Sequence, residues 1–148
     1  MKRIILYCIL LVAVTVIPVK QLDVGDLEPV QAVWIYRREE NVVLQTDTED
    51  FGVGETVAEA LKDLEENCLG IIYLDTAEFL LVTENTQELI PELGQHLKGS
   101  VRVCLWDGKG SVEDAARYMD AHKIGCKLRK WDPLVKLPNL SFEYGEKM

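Results

Sequence analysis

The chain has 148 residues, a formal net charge of −9 and 48% hydrophobic residues. This length is enough for one core of modest size and excludes a second large domain. The charge is uneven, with 22 acidic and 7 basic residues from Gln21 to His122, but 3 acidic and 6 basic residues from Lys123 to Met148. Because the phosphate backbone would repel the acidic body, nucleic acid is excluded as its partner.

Residues 1–20 have the form of an export signal. Lys2 and Arg3 precede the apolar run Ile4–Val19, which is the pattern of a secretory signal peptide. The run is shorter than the roughly 20 residues that span a bilayer comfortably, and it lacks an A-x-A cleavage site. Cleavage, with secretion, and retention as a membrane anchor are therefore both open, and a buried first helix in a cytosolic protein is the alternative. The side chains expected to contact lipid in an anchor are Ile4, Leu6, Leu10, Leu11, Val14 and Val16.

The charge of the first residues also predicts on which side of the membrane the remainder lies. Basic residues next to a membrane segment stay in the cytoplasm, so Lys2 and Arg3 are expected there. Everything after Lys20 is then expected on the extracytoplasmic side of a bacterial cytoplasmic membrane. Cys8 is preceded by the bulky Tyr7, where a lipoprotein signal needs a small residue, so lipidation is not expected.

The next segment indicates a tether followed by a β-hairpin. Residues 21–29 are polar and include glycine and proline, which is typical of a short tether, and residues 30–148 are expected to form a single domain. Val30–Arg37 and Asn41–Thr46 are rich in β-branched and aromatic residues and are separated by a polar turn. This pattern predicts two paired strands.

The stretch Asp47–Leu61, "DTEDFGVGETVAEAL", has two glycines just before a predicted helix, where phosphate-binding loops are often found. Its acidic residues would repel phosphate and the nearest base, Lys62, lies inside the helix, so a phosphate site is excluded. We interpret the glycines as a corner between a strand and a helix. Calcium coordination by Asp47, Glu49 and Asp50 stays as an alternative, although the spacing does not fit an EF-hand.

Three helices and four further strands are predicted after this corner. Thr56 with Glu59 and Ser111 with Asp114 match capping boxes that begin two of the helices, and Asn85 with Glu88 repeats the pattern ahead of a helix that Pro91 kinks or delays. The predicted strands are Gly70–Leu74, Phe79–Glu84, Val101–Trp106 and Cys126–Trp131, of which the first two lack polar alternation, as expected for strands covered on both faces. The order β-β-α-β-β-α-β-α-β predicts a small α/β domain with a mixed sheet and about three helices, after the N-terminal apolar helix.

No residue pattern points to catalysis or to a cofactor. His96 and His122 both lie near predicted helix ends, where an imidazolium interacts favourably with the helix dipole. The paired carboxylates are adjacent in sequence on a predicted exposed surface, and the cysteines lack the spacing of a zinc site. We therefore expect no enzyme activity, no cofactor and no metal. The basic cluster could contact anionic lipid or an acidic partner, or it is a solvated strand face; it consists of Lys123, Lys127, Arg129 and Lys130. The possible partner surface is formed by Lys127, Arg129, Lys130 and Trp131.

Three segments in the middle of the chain resemble one known family. Gly54–Glu66, Ile71–Leu93 and Val101–Gly108 are similar to the N-terminal domain of the Ger(x)C family, the C subunits of spore germinant receptors in Firmicutes. The resemblance implies an α/β fold, a membrane-proximal extracytoplasmic location and a non-enzymatic role in protein assembly. The expected function is a membrane-anchored domain that binds another membrane or envelope protein, in the spore envelope or the germination machinery. The alternative is a small-ligand or calcium-binding sensor domain.

Overall fold

The fold was obtained as a computed structural model, which describes residues 1–16, 25 and 27–140. Helix α1 spans Lys2–Val16. The surroundings of its side chains are described up to Ala13, so the predicted lipid contacts of Val14 and Val16 lie outside the described part. Most of the predicted tether and the last eight residues of the predicted domain, 141–148, also lie outside it.

The remaining elements form an α/β architecture, as predicted. Eight strands are described: β1 (Leu27–Pro29), β2 (Ala32–Arg38), β3 (Asn41–Thr46), β4 (Phe51–Gly54), β5 (Ile71–Tyr73), β6 (Phe79–Val82), β7 (Arg102–Leu105) and β8 (Cys126–Lys127). Three α-helices follow α1 in the described part: α2 (Val57–Asn67), α3 (Ile90–Gly94) and α4 (Val112–His122). Short 3-10 helices cover Leu74–Thr76, Glu84–Leu89 and Leu128–Lys130.

The main sheet is mixed, which confirms the predicted class. Its six strands lie in the order β4-β3-β2-β6-β7-β8. The central strands β2, β6 and β7 run parallel, whereas β3, β4 and β8 pair antiparallel to their neighbours. The β2–β3 hairpin has its polar turn at Glu39 and Glu40, and Glu39 adopts the left-handed conformation, with φ of 58°.

Both faces of the sheet are covered by helices. On the first face, Leu80 and Val82 of β6 pack with Leu64 of α2 and with residues of α3. On the second face, Phe79 and Leu81 of β6 pack with side chains of α4. Successive residues of one strand therefore enter two different cores, which explains why the central strands are apolar without alternation.

Strand β4 was not predicted, and the glycines that were interpreted as a corner lie within it. A Cβ atom at Gly52 would lie 2.2 Å from the carbonyl oxygen of Ala60 and 2.4 Å from the amide nitrogen of Leu64. A Cβ atom at Gly54 would lie 2.6 Å from the amide nitrogen of Ala60. The corner interpretation was therefore wrong in its physical reason, because these glycines allow the backbones of β4 and α2 to approach each other closely.

Two predicted strands differ from the structure. Strand β5 does not join the main sheet but pairs in parallel with β1, so that Leu27–Pro29, assigned from sequence to the tether, is part of a two-stranded sheet. Ile71 and Tyr73 of β5 are exposed, so the expectation that this strand is covered on both faces was wrong. The last strand is only two residues long, and Leu128–Lys130 turns into a 3-10 helix.

The second predicted helix begins differently from the prediction. Thr83 is the N-cap of the 3-10 helix Glu84–Leu89, and its capping box is completed by Thr86 instead of by Asn85 and Glu88. Helix α3 starts only at Ile90, with Pro91 in its first turn, where a missing amide hydrogen is tolerated. The delayed start was predicted from Pro91, whereas the capping pair was wrong.

Candidate functional site

The predicted caps lie at the starts of α2 and α4. The hydroxyl of Thr56 accepts a hydrogen bond from the backbone N–H of Glu59 at 3.2 Å, and the Glu59 carboxylate accepts from the N–H of Glu55 at 2.9 Å. The hydroxyl of Ser111 accepts from the N–H of Asp114 at 3.1 Å. Each cap satisfies amides that a helix start leaves without a partner, so these residues have a structural role.

The acidic loop that follows β3 is organised by its own hydrogen bonds. Asp47 Oδ1 accepts from the backbone N–H groups of Gln31 and Ala32, at 3.1 and 3.3 Å. Asp50 Oδ2 accepts from the Thr48 hydroxyl at 3.0 Å. In the described part of the chain, no three His, Cys, Asp or Glu side chains are grouped so that they could hold a metal ion. The geometry gives the calcium alternative no support.

A second carboxyl contact involves Glu28 of β1. A hydrogen bond with Asp50 raises the pKa of Glu28 above its ordinary value, and burial and charge repulsion from Asp50 add to the effect. The interaction places β1 beside the β3–β4 loop.

The basic cluster lies at the far edge of the sheet. Lys127, Arg129 and Lys130 are exposed, and among the described residues none of the three forms an ion pair. Trp131 differs from them because it is partly buried and packs against the core of the first face. The three cations are thus available to an acidic partner, and Trp131 is a structural residue beside them.

Helix α1 exposes large apolar side chains all around its circumference. Between 57 and 74% of each is accessible to solvent, for Ile4, Ile5, Leu6, Tyr7, Ile9, Leu10, Leu11 and Val12. Within residues 1–16, 25 and 27–140, no helix is both long and apolar enough to cross a membrane.

A crevice lies at the carboxyl ends of β6 and β7. It measures about 440 Å³ and is lined by Thr83, Glu84, Asn85, Leu105, Trp106, Asp107 and Asn139. The chain leaves β6 towards α3 on the first face and leaves β7 towards α4 on the second face. Diverging connections of this kind open a gap beyond neighbouring parallel strands, which is where α/β sheets commonly bind ligands.

The lining of the crevice is polar and acidic. It contains the carboxylates of Glu84 and Asp107. Lys109 is not part of the lining, but its Nζ lies 3.5 Å from Oδ2 of Asp107 and forms an ion pair with it. Asn85 Oδ1 accepts from the Thr83 hydroxyl at 2.5 Å. The arrangement suits a small polar molecule without negative charge. Sequence reasoning missed these residues, although polar residues directly after two apolar strands are a signal that could have located them.

A second surface lies on the second face of the sheet beyond α4. Tyr36, Val43 and Val53 lie side by side across β2, β3 and β4, and Phe51 lies in the adjacent row. Phe51 is 58% exposed and Val53 is 37% exposed. We call these four residues the outer sheet face. Val43 is buried, so Phe51 and Val53 on the edge strand β4 are the apolar side chains of this face that are accessible to another protein.

The tryptophans of the second face separate this surface from the crevice. The Trp34 ring stacks on Tyr36 at 4.0 Å between centroids and meets the Trp106 ring edge-on at 4.8 Å. Gly108, with φ of 85°, crosses Trp34 so closely that a Cβ atom there would lie 2.6 Å from the ring. The β7–α4 loop therefore closes the aromatic cluster, which has a structural role.

The cysteines and histidines form no reactive group in the described chain. Cys104 belongs to the core of the second face and Cys126 packs against the core of the first, so they point to opposite sides of the sheet. Cys8, Cys68 and Cys126 are free thiols. His122 ends α4 and its ring contacts Tyr118 at 4.2 Å. His96 follows α3 within two residues of its end.

Comparisons with known proteins found no match: no family model, no curated protein and no solved structure is significantly similar to this chain.

Proposed function

We propose that this chain is a non-catalytic domain attached to a membrane by α1 and placed on its extracytoplasmic side, where it binds another membrane or envelope protein. The observation that carries the proposal is the exposure of the apolar side chains of α1. Covering one large aliphatic side chain stabilises it by about 1.5–3 kcal/mol relative to water. Seven such side chains together with Tyr7 in one helix favour a lipid environment strongly.

The orientation follows from the charges at the start of α1. Lys2 and Arg3 favour the cytoplasmic side, which sends β1 and the domain to the outer side. The test is a pair of fusions at the carboxyl terminus, one to alkaline phosphatase and one to green fluorescent protein. We expect phosphatase activity and no fluorescence; a fluorescent, phosphatase-negative result would place the domain in the cytoplasm and refute the proposal. Replacing Lys2 and Arg3 by Glu is the matched control, which should weaken the preference.

Two surfaces support a protein partner. The outer sheet face offers apolar contact area, and the basic cluster offers exposed cations on an otherwise acidic chain. The resemblance to the Ger(x)C family directs the proposal to the spore envelope or the germination machinery. Crosslinking and pull-down from membranes of sporulating cells tests it. We expect one specific membrane partner, lost in Phe51→Ser but retained in Leu134→Ser, which changes a more exposed apolar residue elsewhere. Capture that is equal in both variants would contradict the assignment of this surface.

The crevice favours a second candidate function, the binding of a small polar ligand by a sensor domain. Its volume of about 440 Å³ is in the range of ligand sites. Trp106 in its wall provides a fluorescence signal. Titration with small neutral and cationic metabolites should give a saturable change that Asp107→Asn weakens. A flat response to all of them would remove this candidate, and a calcium titration serves as the control for the metal alternative.

A further inference from the structure

The two-stranded sheet β1–β5 has an apolar side that the described part of the domain leaves exposed. Parallel pairing places Leu27 beside Ile71 and Pro29 beside Tyr73. Residues directly opposite each other in neighbouring strands point to the same side, so these four side chains share one side of the pair. Leu69, two residues before Ile71, is completely exposed. We call these five residues the β1–β5 face.

The opposite side of the same pair is turned towards the protein. Ile72 packs against the core of the first face, and Glu28 lies against Asp50. Ile71 is 45% exposed and Tyr73 is 40% exposed, although Ile72 between them packs against the core. The pair is therefore fixed to the domain by one side, and its apolar residues are presented outwards by the other.

The chain connects this face directly to α1. Ten residues, 17–26, separate Val16 at the end of α1 from Leu27 at the start of β1. Ten residues reach at most about 36 Å when fully extended. If α1 is in the membrane, as the proposed function holds, β1 is the part of the domain that the chain keeps nearest to the lipid.

We propose that the β1–β5 face rests on the lipid surface and fixes the orientation of the domain on the membrane, an inference that depends on the proposed attachment through α1. Leu69 inserts into the boundary between headgroups and acyl chains, and Tyr73 lies at the level where aromatic side chains with a polar tip are favoured. The charged residues next to β5 in sequence include Glu66 and Asp75, both exposed, and Glu66 pairs with Lys62 at 3.8 Å, so no unpaired basic group is described there. The contact is therefore apolar and does not require anionic lipid.

Two native cysteines provide matched probe positions. Cys68 adjoins Leu69, whereas Cys126 lies on β8, at the far edge of the main sheet, and both are partly exposed. Cys104 is buried and does not need to be removed. Two variants of the full chain are made, both with Cys8→Ala. The first also carries Cys126→Ala and is labelled with an environment-sensitive fluorophore at Cys68; the second also carries Cys68→Ala and is labelled at Cys126. Each is then incorporated into phosphatidylcholine vesicles that carry a nitroxide quencher at headgroup depth.

We expect the probe at Cys68 to be quenched at least about twofold more than the probe at Cys126, and Leu69→Asp to abolish the difference. Substitution of fully exposed Leu69 removes no core contact, so circular dichroism should be unchanged. Equal quenching at both positions in chains that float with the vesicles would overturn the inference while leaving the attachment intact. Chains that do not float would instead refute the proposed function. Quenching that occurs only in vesicles with phosphatidylglycerol would also overturn the inference. So would a blue shift of the probe that depends on protein concentration in the absence of lipid, because it would indicate that a second copy of the chain covers this face.

Discussion

The close approach of β4 to α2 makes Gly52→Ala the most informative single substitution. The added methyl group would lie 2.2 Å from the Ala60 carbonyl oxygen and 2.4 Å from the Leu64 nitrogen. Ordinary contacts need about 3.5 Å, so strand and helix must separate by roughly 1 Å. Because the obstructing atoms belong to backbone, no rotamer change relieves the clash. We expect a loss of about 3 kcal/mol, the upper end of the overpacking range.

Thermal unfolding followed by circular dichroism measures this loss, and we expect the midpoint to fall by about 10 °C for a domain of this size. Gly94→Ala at the end of α3 is the matched control. Its added methyl group would lie 3.4 Å from a methyl carbon of the flexible Leu128 side chain. That variant should be neutral or more stable by up to about 1 kcal/mol. If both variants unfolded within 2 °C of the unchanged chain, the described packing of β4 on α2 would be wrong.

Three further predictions concern polar contacts. Thr56→Ala should cost about 1 kcal/mol in urea unfolding, and Thr56→Ser should restore most of it, because the hydroxyl is the acceptor of the α2 cap; an Ala variant as stable as the Ser variant would contradict this. Asp47→Ala should cost about 1–2 kcal/mol, because the N–H groups of Gln31 and Ala32 lose their shared acceptor; no change in the urea midpoint would show that water replaces it. The raised pKa of Glu28 means that the folded state binds the Glu28 proton more tightly than the unfolded state does. The protonated Glu28 therefore contributes fully to stability below its ordinary pKa of 4.5, and this contribution is lost as the pH rises through the pKa of the folded state. Glu28→Gln should flatten the dependence of the urea midpoint on pH across this window, and an unchanged slope would refute the raised pKa of Glu28.

The sequence predicted the elements whose signals are local. Helices α2 and α4 were located by Thr56 and Ser111 together with apolar residues at helical spacing, and the β2–β3 hairpin was located by its β-branched residues. These signals act within one or two turns of chain and do not depend on the arrangement of the sheet.

The remaining elements depend on contacts between distant segments. The sequence of β4, Phe51–Gly54, is half glycine and has little intrinsic strand preference, so it becomes a strand only through pairing with β3 and contact with α2. Strand β5 is three residues long, and its partner β1 was not recognisable as a strand. Strands β1 and β4 carry no signal of their own in the sequence, whereas β5 was predicted within Gly70–Leu74 but its pairing with β1 was not.

The same reason applies to the candidate sites. The crevice joins Thr83, Asp107 and Asn139, which are separated along the chain and meet only because β6 and β7 are neighbours in the sheet. The β1–β5 face combines Leu27 with Ile71 through a pairing that no local pattern predicts. The residues of α1 that we propose to contact lipid were recognisable because they form one uninterrupted apolar run.

Protease accessibility in intact spheroplasts tests membrane attachment and orientation in one measurement. Cells that express the full chain with a carboxyl-terminal epitope are converted to spheroplasts, treated with protease from outside and separated into membrane and soluble fractions. The account predicts that the chain remains with carbonate-washed membranes before digestion and that the epitope is lost on digestion without lysis. A chain found in the soluble fraction, or an epitope protected until the spheroplasts are lysed, would contradict it.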